Sequence, residues 1–351
     1  MSFEQETRRL RLRRPTDDDL DGYVTPHSDP RTYAHAPASM PDPERCQARL
    51  RRNLDDWEQT GFGYVAVEER ATGRLVGCGG VKPTPDSQVV NLYYRLSHDV
   101  LGRGYGRELA RAVVASAIEE LPDRVVQAVV KPHNHASLLT ALSAGLVKVG
   151  TKAQPGEEPS DSPSLVLEPP RFTSLRRLDQ PTANELLDVW IRVNEAGGAV
   201  GFVPGTPRAL VVDALAVHEA AMSAGNAVLG LLRDPHGRLL GFGWWDVGER
   251  PAIRHVAHLW RLQVDPEAHG RNTGRLLLAG MHGVARTLPG VELLTLEYRS
   301  GLGLGDFYAR MGWVETGRGP GAIRFAPDDP RDNVQMMRRV DGAPLVYDGR
   351  T

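Results

Sequence analysis

The amino-acid sequence predicts a mixed α/β fold that occurs twice, in two tandem domains. The 351 residues are too many for one ordinary hydrophobic core. A strand-like run, a glycine-rich loop and a helical pattern also follow one another twice, with the loops at 101–106 and 270–275. In both halves antiparallel hairpins come early and strand–helix units come later, which is typical of a mixed sheet. We therefore predict an N-terminal domain of residues 1–170 and a C-terminal domain of residues 171–351.

The composition is that of a globular protein and excludes several classes. Hydrophobic residues make up 41% and charged residues 25%, and a net charge of −2 leaves no basic excess for binding nucleic acid. The two cysteines, Cys46 and Cys78, neither form a disulfide framework nor have metal-ligand spacing, so no metal site is expected. No membrane partner is expected, because no apolar run reaches the length of a membrane span. The N-terminus lacks a signal pattern and Arg greatly outnumbers Lys, so we expect a cytoplasmic protein of a GC-rich bacterium.

Patterns in the first half predict its elements in order. Strands are predicted at 10–15, 63–68, 75–81, 89–96, 125–130 and 165–167, where apolar residues alternate or run continuously. Helices are predicted from Thr16, over 44–59, after the first glycine loop and over 136–142. Residues 153–164 are rich in Pro, Ser and acids, so they form either a linker or a long loop. We favour a loop inside the first domain, closed by an edge strand at 165–167.

The second half repeats this order. Strands are predicted at 172–178, 227–233, 239–247, 255–264, 292–298 and 335–340. Helices are predicted from Pro181, over 207–224, from the second glycine loop to Arg286, and around 306–310. The repetition indicates a duplication at the level of the fold, although the two halves share little sequence.

Each glycine loop is predicted to bind a phosphate or pyrophosphate. A loop that opens a helix presents free backbone N–H groups at the positive end of the helix dipole. The first candidate set is Leu101, Gly102, Arg103, Gly104, Tyr105 and Gly106. The second candidate set is Gln263, Val264, Gly270, Arg271, Asn272, Thr273, Gly274 and Arg275. Neither loop has the Gly-Lys-Ser/Thr ending of a P-loop or the acidic residue of a dinucleotide fold, so nucleotide binding is disfavoured.

The chain resembles a tandem GNAT N-acetyltransferase over nearly its whole length. The first half resembles the ribosomal-protein N-terminal acetyltransferase (RimJ/RimL-like) branch through residues 9–13, 27–30, 101–106 and 134–137. The second half resembles the family through its glycine loop and the segment Phe307-Tyr308-Ala309-Arg310-Met311-Gly312-Trp313. The resemblance implies two GNAT-like domains, with the pyrophosphate of acetyl-CoA on the loops and its pantetheine arm along the preceding strand. It also implies that Asn134 and Ser137 contact CoA, and that an amine attacks the thioester directly.

The second loop departs from the family at Asn272, where Gly is usual. Asn tolerates the left-handed backbone conformation better than most residues, so a binding turn is still expected. A second departure is Gly301, which stands where relatives often have an Asn that contacts the cofactor arm.

The resemblance assigns candidate catalytic residues to the second half. Tyr308 stands where the family has its general acid, the alternative being a core residue of its helix. His258 lies on the strand where many relatives have a carboxylate base; the alternatives are a structural histidine there and His255 as the base. In the first half Asn91 and Ala141 stand at the positions of base and acid. We therefore expect the second domain to be catalytic and the first to be structural or degenerate, the alternative being a first domain that uses a solvent base.

The acceptor is expected to be a primary amine of a small molecule. Asp246 and Glu297 could attract an ammonium group, and Phe202, Trp244 and Trp245 could form an apolar wall. The alternative, favoured for at least one of the two tryptophans, is that they are sheet residues facing opposite sides. A protein N-terminus is the alternative acceptor that the first half suggests. A non-catalytic CoA-binding sensor is the alternative from another class of protein. We expect a monomer with pseudo-dimeric domains or a homodimer.

Overall fold

Each half of the chain forms its own mixed β-sheet. The computed structural model describes residues 3–34, 37, 40–153, 162–198, 201–248 and 250–345. The chain divides into unit 1, Met1–Pro170, and unit 2, Arg171–Thr351. Unit 1 has an eight-stranded sheet and unit 2 a seven-stranded sheet among the described residues, which confirms the predicted mixed α/β class in two tandem copies. Residues 154–161 of the predicted loop 153–164 lie outside the described residues.

The described part of unit 1 contains eight strands and four α-helices. The strands are β1 (Gln5–Glu6), β2 (Leu10–Arg13), β3 (Tyr64–Glu69), β4 (Leu75–Pro83), β5 (Val89–Leu96), β6 (Val125–Val130), β7 (Val147–Lys152) and β8 (Ser164–Glu168). The helices are α1 (Leu20–Ser28), α2 (Pro43–Thr60), α3 (Tyr105–Glu120) and α4 (His135–Ser143). The strand order is β1-β2-β3-β4-β5-β6-β8-β7, and β5 and β6 run parallel.

The described part of unit 2 contains seven strands and four α-helices. The strands are β9 (Arg171–Leu175), β10 (Ala227–Arg233), β11 (Leu239–Val247), β12 (Val256–Val264), β13 (Leu293–Arg299), β14 (Val314–Ala326) and β15 (Asp329–Arg339). The helices are α5 (Gln180–Glu195), α6 (Arg208–Ser223), α7 (Thr273–Ala285) and α8 (Leu304–Ala309). The strand order is β9-β10-β11-β12-β13-β15-β14, and β12 and β13 run parallel.

Two adjacent tryptophans of β11 define the layers of unit 2. Trp244 is buried in the core formed with α5 and α6, where its ring lies 5.7 Å from that of Trp190. Trp245 points to the other face, and its indole N–H donates to the carbonyl of Met281 on α7 at 2.7 Å. Since side chains alternate along a strand, Asp246 shares the α5–α6 face with Trp244. None of the helices in the described ranges is both long and apolar enough to span a membrane.

The sheet order corrects one strand prediction, and two further strands were not predicted. The strand around 165–167 is not an edge strand, because β8 lies between β6 and β7. The sequence did not indicate β7, whose residues VKVGTK are half-buried or exposed, with polar residues and a Gly inside. It also did not indicate β14, which carries Gly317, Gly319 and Gly321 and shifts register against β15. Strands that bury little apolar surface leave a weak periodic signal.

Candidate active site

The sheet of each unit opens between its two parallel central strands. In unit 2 the pairing of β12 with β13 ends at Leu259 and Leu296, although both strands continue. In unit 1 the pairing of β5 with β6 ends at Asn91 and Gln127. Beyond these pairs the facing backbone groups of the two strands do not bond to each other, so they are available to another hydrogen-bonding chain. This is where the resemblance puts the pantetheine arm of acetyl-CoA.

A β-bulge in β12 lies next to the opening of unit 2. Arg261 and Leu262 together face the single residue Gly243 on β11, between the pairs made by Trp260 and Gln263. Arg261 has a φ of 53°, a conformation that costs a non-glycine residue about 1–3 kcal/mol. Such strain concentrates at functional sites. In unit 1, by contrast, β4 and β5 pair in continuous register along their length.

The two glycine loops share one backbone conformation at the helix start. Gly104 precedes α3 with a φ of 79°, and Asn272 precedes α7 with a φ of 67°, both in the left-handed region. Neither residue caps its helix with a side-chain hydrogen bond. Two positions earlier, a Cβ added at Gly102 or Gly270 would meet no atom within 4 Å. Both helix starts therefore have space beside them and backbone N–H groups that suit an anion.

Charged side chains distinguish the two loops. In unit 1 Arg103 lies 3.6 Å from Glu69, and Arg9 forms a 2.7 Å ion pair with Glu108 in the first turn of α3. In unit 2 Arg271 is exposed, and among the residues that the structure describes no carboxylate forms an ion pair with it. The second loop therefore keeps a cation for a phosphate, whereas the first places two carboxylates beside its arginines.

His258 lies on the face of the sheet that Asp246 also occupies. Asp246 stands opposite it on β11 and Thr295 opposite it on β13, and Glu297, two residues further along, shares that face. The His258 ring lies 4.2 Å from that of Trp260, which is 41% exposed. Burial lowers the pKa of His258, and the negative charge of Glu297 opposes this shift. The imidazole is therefore neutral at pH 7 and can accept a proton.

Glu297 is held as a carboxylate by two amides that sequence reasoning missed. Asn333 Nδ2 donates to Oε2 at 2.8 Å, and Gln335 Nε2 donates to Oε1 at 2.9 Å. The hydrogen bond from Asn333 is the main cause of the lowered pKa of Glu297, against the effect of burial. The charged carboxylate can still accept bonds from an ammonium group beside His258. The alternation of these amides with apolar residues along β15 was the signal that could have identified them.

Tyr308 is buried on α8. Its ring lies 5.7 Å from the ring of Tyr298 and 6.2 Å from that of Trp313. The preceding Phe307 is half-buried and lies beside Gly274 of the second loop. Burial raises the pKa of Tyr308, so its hydroxyl keeps its proton at neutral pH. A protonated phenol is chemically suited to the role of an acid.

Unit 1 has different chemistry at the position of His258. Asn91 occupies that position, with Lys82 opposite on β4 and Gln127 opposite on β6. Its amide donates to Tyr64 Oη at 2.9 Å, and an amide cannot accept a proton at neutral pH. A basic Lys82 thus stands where unit 2 has an acidic residue opposite its histidine.

The two residues of unit 1 that the resemblance links to CoA have partners within the chain. Asn134 Oδ1 accepts from the backbone N–H of Ser137 at 3.2 Å and so caps α4. Ser137 Oγ lies 3.0 Å from Tyr94 Oη. Ala141, at the position of the acid, is fully buried. The motif therefore has a structural role as a helix cap, and contact with CoA stays a prediction.

The predicted aromatic wall is wrong for both tryptophans. Trp244 and Trp245 are each 0% exposed, because each serves the core on its own side of the sheet. Phe202 packs against Trp190 at 5.9 Å and beneath the guanidinium of Arg261 at 5.1 Å. Arg261 was missed by sequence reasoning, since nothing in the sequence signals a positive φ at an arginine. The aromatic surface left near His258 is that of Trp260.

Comparison with known proteins gives one family. Residues 9–147 match the family model of the acetyltransferase (GNAT) domain. The mycothiol acetyltransferase of Salinispora tropica (strain ATCC BAA-916 / DSM 44818 / JCM 13857 / NBRC 105044 / CNB-440) is 29% identical over 253 residues, 70% of this chain and 76% of that protein. The mycothiol acetyltransferase of Salinispora arenicola (strain CNS-205) is 28% identical over 254 residues, with the same coverage.

Solved structures give matches to about half of the chain. An acetyltransferase from Agrobacterium tumefaciens str. C58 is 26% identical, covers 47% of this chain and 92% of its own, and has a TM-score of 0.39. A Salmonella typhimurium protein described as an acetyltransferase, solved with acetyl-CoA, is 16% identical, covers 51% of this chain and 99% of its own, and has a TM-score of 0.41.

The family match and the relatives define the class of the protein as an acetyl-CoA-dependent acetyltransferase. Residues 9–147, within unit 1, match the GNAT acetyltransferase domain, and the chain as a whole resembles acetyltransferases of that kind. The helix starts fit this donor, because the backbone N–H groups at a helix N-terminus suit its pyrophosphate. The likeness of the first half to the ribosomal-protein branch stays a prediction.

Proposed function

We propose that unit 2 transfers the acetyl group of acetyl-CoA to the primary amine of a small molecule, by direct attack of the amine. The observation that carries this is the opening of the sheet beside His258. The pairing of β12 with β13 ends one residue after His258, and a bulge follows at once. A proton acceptor and the end of the pairing between β12 and β13 therefore lie at the same point of the sheet.

The chain's own residues account for both proton transfers. Acetyl-CoA supplies an activated acetyl carbon and a sulfur leaving group. Neutral His258 takes a proton from the acceptor's ammonium group, which frees the nitrogen lone pair for attack. As the N–C bond forms and the C–S bond breaks, Tyr308 gives its proton to the departing sulfur. Glu297 and Asp246 attract the ammonium group to His258 before it loses its proton.

Two further observations support a small amine as the acceptor. The face around His258 carries two acidic residues, of which Glu297 keeps its charge through the bonds from Asn333 and Gln335. Both curated relatives are named mycothiol acetyltransferases, and that name supports a small molecule over a protein N-terminus. Trp260, at 41% exposure, adds an aromatic surface against which an acceptor can pack.

Steady-state kinetics of acetyl transfer to a panel of small amines test the proposal. We expect Tyr308→Phe to lower kcat by about 100-fold or more, because an acid contributes roughly 10²–10⁴-fold to such a step. The KM for acetyl-CoA should stay within about 3-fold, since the ring and its packing are kept.

Tyr298→Phe is the matched control, because it removes a hydroxyl from the neighbouring ring at 5.7 Å. We expect it to change kcat by less than about 3-fold. The proposal is wrong if Tyr308→Phe keeps its activity while Gly104→Glu, in the loop of unit 1, abolishes it.

A further inference from the structure

A basic cluster lies in unit 1 on the sheet face beneath α1 and α2. We define it as Arg49, Lys82 and Arg95, all three half-buried. Among the residues that the structure describes, no carboxylate forms an ion pair with any of these cations. The four undescribed residues between 34 and 40 contain no acid in their sequence. Elsewhere in unit 1 Arg9 and Arg13 do pair with carboxylates, at 2.7 and 2.6 Å.

A row of aromatic side chains joins two of the cations. Lys82 Nζ lies 5.4 Å from the centre of the Tyr64 ring, and the rings of Tyr64 and Tyr93 lie 5.1 Å apart. Arg95 Nε donates to Tyr93 Oη at 3.2 Å, and its guanidinium stacks 3.8 Å above Tyr33. These contacts hold the cations in place but do not cancel their charge. The face therefore carries three cations, and Asp56 is the acid whose charge acts on Tyr64.

The charge of Arg49 acts on His27, which is buried in the same face of unit 1. Burial lowers the pKa of His27 to about 4 against a hydrogen bond with Tyr23, and the charges of Arg95 and Arg49 act in the same direction as burial. His27 Nδ1 donates to the carbonyl of Tyr23 at 2.7 Å, and Nε2 lies 3.2 Å from Tyr93 Oη. The imidazole is neutral at pH 7, so the positive charge of this face comes from the basic cluster itself.

A buried hydroxyl proton is a second, independent observation. Tyr64 is 7% exposed, and its Oη accepts from Asn91 Nδ2 at 2.9 Å. Within the described ranges its own proton has no acceptor. Buried donors in folded proteins nearly always have an acceptor, so the missing one points to a ligand. An oxyanion beside Lys82 would be that acceptor.

The strand position equivalent to Lys82 has the opposite charge in unit 2. Lys82 stands opposite Asn91 as Asp246 stands opposite His258, and Glu297 adds a second acid in unit 2. A lysine at this position would repel an ammonium group, because like charges repel. The two faces therefore suit ligands of opposite charge.

We propose that this face of unit 1 binds a small molecule bearing an oxyanion, a carboxylate or a phosphate, through the basic cluster and the Tyr64 hydroxyl. The proposal concerns unit 1 alone and does not depend on the chemistry assigned to unit 2. Lys82 and Arg49 supply the charge, Tyr64 donates a hydrogen bond, and Arg95 orders the aromatic row behind them.

Isothermal titration calorimetry of the full chain at constant ionic strength tests this proposal. The probes are citrate, inorganic phosphate and, as the cationic counterpart, ethylammonium. With coenzyme A saturating the helix starts, we expect citrate or phosphate to bind with a stoichiometry of one, and ethylammonium not to compete. Binding of citrate alone identifies a carboxylate ligand, and binding of phosphate alone identifies a phosphate ligand. Lys82→Gln and Tyr64→Phe should each weaken binding about 5-fold or more; Tyr64→Phe keeps the ring and so separates a lost bond from a lost fold.

Arg52→Gln is the control, because Arg52 is exposed on the same helix as Arg49 and lies outside the basic cluster. It should change the affinity by less than about 2-fold. The proposal is overturned if neither anion binds, or if Arg52→Gln weakens binding as much as Lys82→Gln. It is also overturned if binding survives Lys82→Gln and is lost in Gly104→Glu, since the anion then sits at the α3 loop.

Discussion

The two units of this acetyltransferase have the same backbone arrangement at the candidate site and differ in the side chains there. Gly104 and Asn272 give the two loops the same left-handed turn. Asn91 and His258 occupy the same place at the opening of each sheet, yet an amide stands in one and an imidazole in the other. With catalysis assigned to unit 2, as proposed, the comparison teaches that backbone geometry suited to acetyl-CoA does not by itself provide catalysis. The chemistry depends on a few strand positions beside the opening.

The largest expected effect is a loss of folding stability at low pH, which should be greater in unit 2 than in unit 1. Burial lowers the pKa of His218 in unit 2 to about 4 and that of His282 well below its usual 6.5, whereas unit 1 has His27 at about 4. Below pH 6.5 the unfolded chain binds protons that these folded histidines do not, so stability falls as the pH falls from 6.5 to about 4. A shift from 6.5 to about 4 corresponds to roughly 3 kcal/mol for each histidine.

Unfolding in urea at pH 7 and pH 5 checks this, followed by tryptophan fluorescence. The signal reports mainly unit 2, which has five of the six tryptophans, Trp57 being the exception. We expect the free energy of unfolding to drop at pH 5, and His218→Phe to reduce the drop. Phe keeps the stack on Trp244, whose ring lies 4.4 Å from that of His218. Equal acid sensitivity of the variant and the parent would contradict the account.

Removing the proposed base should have the next largest effect. His258→Gln is expected to lower kcat/KM for the amine by about 100-fold, since a general base contributes roughly 10²–10⁴-fold. In the parent the rate should fall as the pH drops through the lowered pKa of His258, below 6.5, because only the neutral imidazole accepts a proton. The pH–rate profile of the variant should lose this acidic limb. His236→Gln, at an exposed turn, serves as the control, and an unchanged acidic limb in His258→Gln would assign the base elsewhere.

The smallest effect concerns one equivalent position in the interior of each unit. Arg95 and Gln263 each lie one residue before the end of the strand that leads to a glycine loop. Arg95 bonds to the carbonyl of Thr32 and to Tyr93. Gln263 is 5% exposed, and neither polar atom of its amide has a partner in the described part of the chain.

Substitution by Met should therefore have opposite signs at these two positions. We expect Arg95→Met to lower the free energy of unfolding by about 2 kcal/mol, because bonds to a charged group are lost. Gln263→Met should raise it by about 1 kcal/mol, because an unsatisfied buried amide is removed. Urea unfolding of both variants, with Arg52→Met as the exposed control, measures the difference. If Gln263→Met is destabilising instead, a buried water satisfies the amide.

The sequence predicted the parts of the fold that bury regular apolar patterns. Strands such as β5 and β12 and the helices after the loops were predicted within a few residues, because periodicity and glycine turns mark them. The missed strands β7 and β14 bury little and contain glycines. The tandem arrangement was found because the loop–helix signal occurs twice.

The candidate site was only partly visible in the sequence. His258 and Tyr308 were found through the resemblance, and Asp246 and Glu297 through their charge. The bonds from Asn333 and Gln335 were not found, because β15 comes next to β13 only through the sheet order. The burial of both Trp244 and Trp245 depends on helices packed on each side, which a strand pattern does not reveal.

The central claim, that unit 2 is the catalytic unit, is tested most directly by one pair of variants. Gly270 and Gly102 have φ of 77° and 79°, and a Cβ at either would meet no atom within 4 Å. Gly270→Glu and Gly102→Glu therefore carry the same backbone strain and place a carboxylate beside equivalent helix starts. Measured as kcat/KM for acetyl-CoA, Gly270→Glu should cost about 100-fold, or about 2.7 kcal/mol, and Gly102→Glu less than about 3-fold. A large loss in Gly102→Glu with activity retained in Gly270→Glu would place catalysis in unit 1 and contradict the account.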